Sequence, residues 1–187
     1  LWPVRGKERE WKLEMDVDHV KWKSFRSTTV DLSTPNVAGR VALPIAQDWH
    51  NSYNVMIGTE YKWRKLERMP EWEVALRGGY MHLQTQMPDQ TFNPGIPSAD
   101  QHIPSFGVGF VCKEKGSFFG LTNCGNLGVG SMKPKAVGLD FSYQVAFYED
   151  RTVVGQVTNP AAGTNAAING TYKTTIQAGG VTLRFNF

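Results

Sequence analysis

The sequence predicts an all-β protein, and specifically an antiparallel transmembrane β-barrel of the outer-membrane type. Residues 181–187 alternate apolar and polar side chains and end on Phe187. A soluble protein gains little from large apolar groups along one face of its final strand, whereas a lipid-facing strand requires them. The same alternation recurs along the chain, and no apolar run reaches the roughly 18 residues of a membrane-spanning helix.

The composition is compatible with a membrane barrel. Apolar residues make up 41% of the 187 positions, a modest share because polar and apolar residues alternate along barrel strands. The 19 glycines and six tryptophans suit strands flanked by aromatic girdles, although a soluble all-β protein could share them. The net charge of +3 is too small to indicate nucleic-acid binding.

Seven strands are predicted, joined as an antiparallel meander. In the first, apolar residues alternate with charged ones from Trp11 to Val17, and a helix would spread the charges around its circumference. In the third, which covers residues 49–63, Tyr53 and Trp63 mark the ends of the apolar face. At ~3.4 Å per residue and a tilt of ~40° they span roughly 26 Å, the height of an outer-membrane apolar band. The other strands are predicted around residues 28–32, 72–80, 105–110 and 137–147, and from about Tyr172 to the end.

The connections between these strands alternate in character, which sets the orientation. Barrels of this type have short periplasmic turns and long external loops. With the C-terminus in the periplasm, residues 33–48, 84–104 and 149–170 are predicted extracellular loops, and residues 23–27 and 64–71 are periplasmic turns. Residues 113–134 are too long for a tight turn and are predicted to be a periplasmic insertion.

Cys112 directly precedes this insertion and Cys124 lies within it, in an oxidising compartment. We therefore expect them to form a structural disulfide worth about 2 to 3 kcal/mol.

Seven strands and a periplasmic C-terminus would leave the N-terminus outside the cell. Single-chain bacterial barrels have an even strand count, and the chain starts without an initiator methionine or a secretory signal. We therefore expect it to be the C-terminal part of a longer protein. The alternative is that residues 1–10 contain an eighth strand that closes a small barrel, although Pro3 and the charges that follow suit a strand poorly.

An ordered set of motifs resembles the outer-membrane long-chain fatty acid transporter family, of the FadL, TodX and OmpP type. The resemblance covers nearly the whole chain. In order, the motifs are Asp16-Val17-Asp18, Lys21-Trp22-Lys23-Ser24-Phe25, Leu43-Pro44, Asp48-Trp49, Ile57-Gly58-Thr59-Glu60-Tyr61, Leu76-Arg77-Gly78-Gly79-Tyr80, Met87-Pro88-Asp89, Ile96-Pro97-Ser98-Ala99-Asp100 and Ser105-Phe106-Gly107-Val108-Gly109-Phe110.

The resemblance implies a 14-stranded barrel, of which this chain holds about seven C-terminal strands, without the N-terminal plug and the earlier strands. It implies transport of long-chain fatty acids or hydrocarbons by passive diffusion through a plugged barrel, with lateral release into a Gram-negative outer membrane. The implied partners are such a hydrophobic small molecule, outer-membrane lipid and lipopolysaccharide, and we expect detergent to accompany the purified protein. The family has a short turn where residues 113–134 stand, so the role of this insertion is not inherited.

Five residues are predicted to face the lumen as candidate ligand contacts. Arg77 is the strongest candidate for a carboxylate head group, because guanidinium forms bidentate pairs with carboxylates. The alternative is that opposite charges in the lumen pair across strands. The complete set is Arg77, Met56, Glu60, Asp16 and Asp140.

Other functions are less compatible with the sequence. The four histidines have no metal-ligand spacing, so neither a metal nor another cofactor is expected. No serine lies in a nucleophile motif, so the protein is not expected to be an enzyme, although some outer-membrane phospholipases are barrels. A general porin and a structural or adhesive barrel remain open as alternatives. A soluble β-sandwich would not need aromatic residues about 26 Å apart at two interfaces.

Overall fold

The computed structural model describes residues 4–5, 8–32, 41–92, 98–118, 120–127, 133–154 and 169–187. These residues form β-strands joined by loops and three short 3-10 turns. The strands are β1 (Val4–Arg5), β2 (Arg9–Val20), β3 (Ser27–Leu32), β4 (Val41–Ala46), β5 (Ser52–Trp63), β6 (Trp72–Leu83), β7 (Gln101–Lys113), β8 (Ser117–Phe118), β9 (Thr122–Asn123), β10 (Ala136–Tyr148), β11 (Arg151–Val153), β12 (Gly170–Tyr172) and β13 (Thr175–Asn186). Within the described ranges, no helix has the length and apolar composition needed to cross a membrane.

The main sheet has seven strands in the order β1-β2-β5-β6-β7-β10-β13, and every neighbouring pair is antiparallel. The remaining strands pair two by two as the hairpins β3-β4, β8-β9 and β11-β12. In the described part of the chain, β1 and β13 are the two edges, so the sheet is an unclosed segment of barrel wall. The prediction of an antiparallel all-β meander is confirmed.

The strand predicted at residues 28–32 does not belong to the main sheet. β3 pairs with β4 instead, and this hairpin lies within the connection from β2 to β5. Val20 and Ser52 are direct partners in the main sheet, so that connection leaves and returns at the same end. A strand of six residues is also shorter than the roughly 9–11 needed to cross a membrane. Residues 23–27 are therefore part of this connection and not a turn at the opposite end of the sheet.

The seventh strand of the main sheet is β1, which has only two residues and pairs with the start of β2. It lies in the segment where the alternative hypothesis placed an additional strand. Residues 1–3 and 6–7 of that segment lie outside the described residues.

The sheet has two ends, which we name from its last strand. The C-terminal end is where β13 finishes, and it also holds the turn 64–71 and the described residues of segment 114–135, because the Lys135 N–H donates to the Asn186 carbonyl oxygen at 2.6 Å. The loop end is the opposite one, and it carries the connection 21–51, the segment that precedes β7, and the hairpin β11-β12. Predicted loop residues 33–40, 93–97 and 155–168 lie outside the described residues.

One face of the sheet, which we call the apolar face, presents large side chains without cover. Met15 is 65% exposed and Val181 is 67% exposed. An exposed apolar surface that continues across many strands marks contact with a membrane or a partner. The register places on this face the exposed residues Trp11, Met15, Val17, Tyr53, Val55, Ile57, Leu76, Tyr80, Phe106, Phe141, Tyr143, Phe147, Val181, Leu183 and Phe185.

A small buried core lies at the loop end. Met87, Phe92 and Val153 are almost fully buried, and Trp49 and Tyr172 pack against them. Apolar packing of the described residues is therefore concentrated beneath the loops, as expected for a sheet with one lipid-facing side.

Candidate functional site: the polar face of the sheet

The polar face, opposite the apolar face, carries a network of ion pairs. Its centre is Arg77 on β6, whose Nε donates to Glu60 Oε2 at 2.6 Å and whose Nη1 donates to Asp140 Oδ1 at 2.7 Å. Asp140 also forms an ion pair with Arg184, whose Nη2 lies 2.7 Å from Asp140 Oδ2. Four strands are thus linked, because these residues come from β5, β6, β10 and β13.

The network extends to β2 and to the turn beyond β5. Lys12 Nζ lies 3.5 Å from Glu60 and 3.7 Å from Glu10. Glu10 is buried, and both Nε and Nη2 of Arg64 donate to its Oε2. These hydrogen bonds raise the pKa of Arg64, because they stabilise its charged form.

A second, smaller group of charges lies nearer the C-terminal end. Glu73 pairs with Lys62 at 2.9 Å and with Lys113 at 3.3 Å. Together with the Arg77 network it forms what we call the ionic layer. This layer crosses the polar face in its C-terminal half.

Strand β7 makes the centre of the ionic layer possible because it contributes no side chain there. Arg77 on β6 and Asp140 on β10 meet across β7, at the position of Gly109. A Cβ on Gly109 would overlap Asp140 Oδ1 and would lie 3.0 Å from Arg77 Nη1. Glycine here leaves room for the ends of the Arg77 and Asp140 side chains to approach each other, and a larger residue would displace them.

We expect Gly109→Ala to separate Arg77 from Asp140 and to cost about 1 kcal/mol of unfolding free energy, the typical value of a partly exposed ion pair. Denaturant unfolding of the protein in detergent or bilayers measures this. Gly58→Ala is the matched control, because nothing lies within 4 Å of its Cβ position. If Gly109→Ala and Asp140→Asn have fully additive costs, Gly109 does not act through this ion pair.

The middle of the polar face is an open groove lined by small residues. A cavity of about 760 Å³ lies over Gly58, Gly79, Ser105 and Gly107, with Arg77 at its border. The small side chains keep the backbone accessible from this side.

An apolar band lies between this groove and the loop end. Met56 and Met81 are direct partners on β5 and β6, and Ile103 is the next partner on β7. Ile103 and Ala146 are buried, and Ala146 is paired with Ile176 on β13. From the C-terminal end of the sheet to the loop end, the polar face therefore carries first charged residues, then small residues and then apolar residues.

The predicted site residues fall into two groups. Arg77, Glu60 and Asp140 come together in the ionic layer. Asp16 and Met56 are direct partners of each other, but they lie nearer the loop end, with Asp16 at the β2 side of the apolar band. Cys112 and Cys124 form a disulfide with a Cα–Cα distance of 6.0 Å.

Sequence reasoning missed two polar clusters near the loop end. Tyr80 and His102 share a hydrogen bond of 2.6 Å, and His102 Nε2 lies 3.0 Å from Glu149. The His82 and His102 rings are also close, with centroids 4.9 Å apart. The second cluster surrounds Arg151. Neither has a local sequence signal, because each joins residues from distant segments.

A sheet with an exposed apolar face and a charged opposite face defines a class of protein, the membrane-spanning β-barrels. The model of one family, described as outer membrane protein transport protein (OMPP1/FadL/TodX), matches residues 5–118, more than half of the chain. The chain belongs to this family. The predicted resemblance is confirmed, and membership implies a bacterial outer-membrane transport protein.

A solved structure supports the fold. The crystal structure of a Pseudomonas aeruginosa FadL homologue is similar to this chain with a TM-score of 0.57 and 19% sequence identity. The match covers 96% of this chain and 32% of that protein, so the chain spans about a third of its length. No curated protein matches the sequence.

Proposed function

We propose that the protein moves hydrophobic molecules, long-chain fatty acids or hydrocarbons, across the bacterial outer membrane. Transport is passive, through a plugged barrel of which this chain forms part of the wall, and release is lateral into the membrane. In this proposal the C-terminal end of the sheet faces the periplasm and the loops face the cell exterior. Membership in the transport family and the exposed apolar face support this arrangement.

The observation that carries the proposal is the apolar band on the polar face. A pore for hydrophilic solutes has no need of apolar side chains on its inner wall, and charged rings line its water path. Here Met56, Met81 and Ile103 form a continuous row on that wall. Methionine adapts its flexible, polarisable side chain to ligands of varied shape. The band thus offers an apolar solute a surface that water and ions do not use.

The ionic layer has a different role in this proposal. Arg77 already binds two carboxylates, which supports cross-strand pairing over contact with a ligand carboxylate. We therefore assign Arg77, Glu60 and Asp140 to holding the wall together, and Met56 with its neighbours to ligand contact. Asp16, at the edge of the band, would bring a charge next to the solute.

The test is uptake of a radiolabelled long-chain fatty acid by cells that carry the full-length protein or a variant of its apolar band. Met81→Glu should lower uptake about tenfold, the effect of ~1.4 kcal/mol. A carboxylate in the band would have to lose its bound water for an apolar solute to contact the band. Met81→Leu is the matched control and should leave uptake nearly unchanged. Equal uptake by both variants would show that the band does not contact the solute.

The porin alternative predicts permeation by small hydrophilic solutes instead of uptake of fatty acids. Liposomes that contain a porin swell in solutions of small sugars, whereas a plugged hydrophobic transporter admits none. Sugar permeation by the reconstituted full-length protein without fatty-acid uptake would overturn the proposed function.

A further inference from the structure

The segment between β7 and β10 folds back against the apolar face. Its hairpin β8-β9 is tied to β7 by the Cys112–Cys124 disulfide, and both cysteines are buried. The Phe118 ring stacks on Trp72 of β6, with centroids 6.3 Å apart and planes at 20°. Trp72 Nε1 also donates to the Ser117 carbonyl oxygen at 3.3 Å. The hairpin is thus held in place at the C-terminal end of the sheet.

A groove lies between this hairpin and the wall. Its volume is about 950 Å³, at the upper end of the range for small-molecule sites. The lining is almost entirely apolar and comes from both sides, with Phe118 and Leu127 from the added segment and Phe110, Leu139 and Leu183 from the apolar face. The rest of the apolar face is a sheet surface, whereas here it is the floor of a concave site.

Two charged residues line the groove, and they have opposite sign. Glu71 belongs to the turn before β6, and Lys115 to the turn after β7. Neither forms an ion pair with another residue in the part of the chain that the structure describes. They are close in the fold, since a Cβ on Gly116, next to Lys115, would lie 3.2 Å from Glu71 Cβ.

We propose that this groove is a binding site for one phospholipid of the membrane leaflet at the C-terminal end, with an acyl chain in the groove and a phosphoethanolamine head group at its rim. The lipid phosphate binds Lys115 and the lipid ammonium binds Glu71, so the head group complements both charges. The proposal rests on the outer-membrane setting of the proposed function. In this proposal, the role of the disulfide-bonded segment between β7 and β10 is to hold a lipid against the sheet.

The acyl-chain part is tested by filling the groove. The full-length protein is placed in nanodiscs containing phosphatidylethanolamine, released, and examined by native mass spectrometry for retained lipid. Leu139→Trp should lower retention at least tenfold. Ile57→Trp is the matched control, because Ile57 also lies on the apolar face but does not line the groove. Equal retention by the two variants would overturn the proposal.

The head-group part is tested by competition between lipids. The wild-type protein should retain phosphatidylethanolamine over phosphatidylglycerol and phosphatidylcholine. Lys115→Gln should weaken retention of all three, and Glu71→Gln should abolish the preference for phosphatidylethanolamine. Glu67→Gln, in the same turn as Glu71, and Lys173→Gln, at the loop end, are the controls and should change nothing.

A second measurement, the quenching of tryptophan fluorescence, requires no substitution at Leu139. Brominated acyl chains quench tryptophan fluorescence on contact, and the difference between wild type and Trp72→Phe isolates the signal of Trp72. A low fraction of brominated phosphatidylethanolamine should quench that signal more than the same fraction of brominated phosphatidylcholine. Equal quenching by both lipids would mean that only bulk lipid contacts the groove.

The failure of this inference can be told apart from failure of the proposed function. If fatty-acid uptake persists while no lipid is retained, the lipid site is wrong and the transport proposal stands. If lipid is retained in the predicted order while uptake is absent, the transport proposal is wrong and the lipid site stands.

Discussion

Phe141→Arg should lower the stability of the folded protein in a bilayer by about 2–4 kcal/mol, the cost of an arginine on the lipid-facing surface near the membrane midplane. Phe141 lies near the middle of β10 and is 41% exposed on the apolar face. An arginine side chain here would lose its bound water to acyl chains without gaining a charged partner, and this holds equally for the proposed lipid groove, which Phe141 also lines. Denaturant unfolding of the protein folded into lipid vesicles measures this loss.

Ser142→Arg is the matched control for this substitution. Ser142 is the next residue of β10, so its side chain points to the opposite face, where it lines the open groove. An arginine there remains hydrated, and we expect a change of less than about 1 kcal/mol, as for an ordinary surface substitution. If the order of the two costs is reversed, the apolar face is not the lipid-facing one.

Arg151→Ala should release the packing of the loop end, with a local cost of about 2–4 kcal/mol. The Arg151 side chain is only 11% exposed, and Nη2 donates to the Met87 carbonyl oxygen at 2.6 Å and to Asp89 Oδ1 at 2.7 Å. Nη1 donates to the Ser98 carbonyl oxygen, and the guanidinium lies 4.9 Å from the Phe92 ring centroid. Removing it leaves several acceptors without their donor. Hydrogen exchange of residues 84–92 should become at least tenfold faster.

Lys173→Ala is the control for the Arg151 experiment. Lys173 also forms an ion pair at the loop end, with Asp150 at 2.6 Å, but its side chain is 72% exposed. Such a surface pair contributes about 0–1 kcal/mol. Similar exchange rates in the two variants would show that Arg151 does not hold the loops together, and exchange in β10 should be unaffected in both.

The six long strands of the main sheet could be predicted because each carries its own alternation of apolar and polar residues. β5 and β10 are found within a few residues of their predicted limits. This alternation does not identify which strands pair with each other. β3 has the composition of a strand, but only pairing with β4 shows that it belongs to a hairpin beside the main sheet.

The candidate site was less predictable, because it depends on the register between strands. Arg77 and Asp140 are 63 positions apart in sequence and meet only because Gly109 lies between them in space. The periodicity of β6 places Arg77 on the polar face but does not identify which carboxylates bind it. Arg151 gave no signal at all, since the groups that it binds belong to segments 53 to 66 positions earlier.

The distribution of side-chain size between the two faces has a consequence for the shape of the wall. On the polar face, Gly58, Gly79, Gly107 and Gly109 take up almost no space, while the apolar face carries the tyrosines and phenylalanines of the same strands. When the side chains are large on one face of each strand and small on the other, neighbouring strands can tilt toward the face with the small side chains. This difference in side-chain size favours bending of the sheet toward its polar face, and the ion pair of Arg77 and Asp140 across β7 on that face is compatible with such bending. The residues themselves thus favour the concave curvature that a barrel requires.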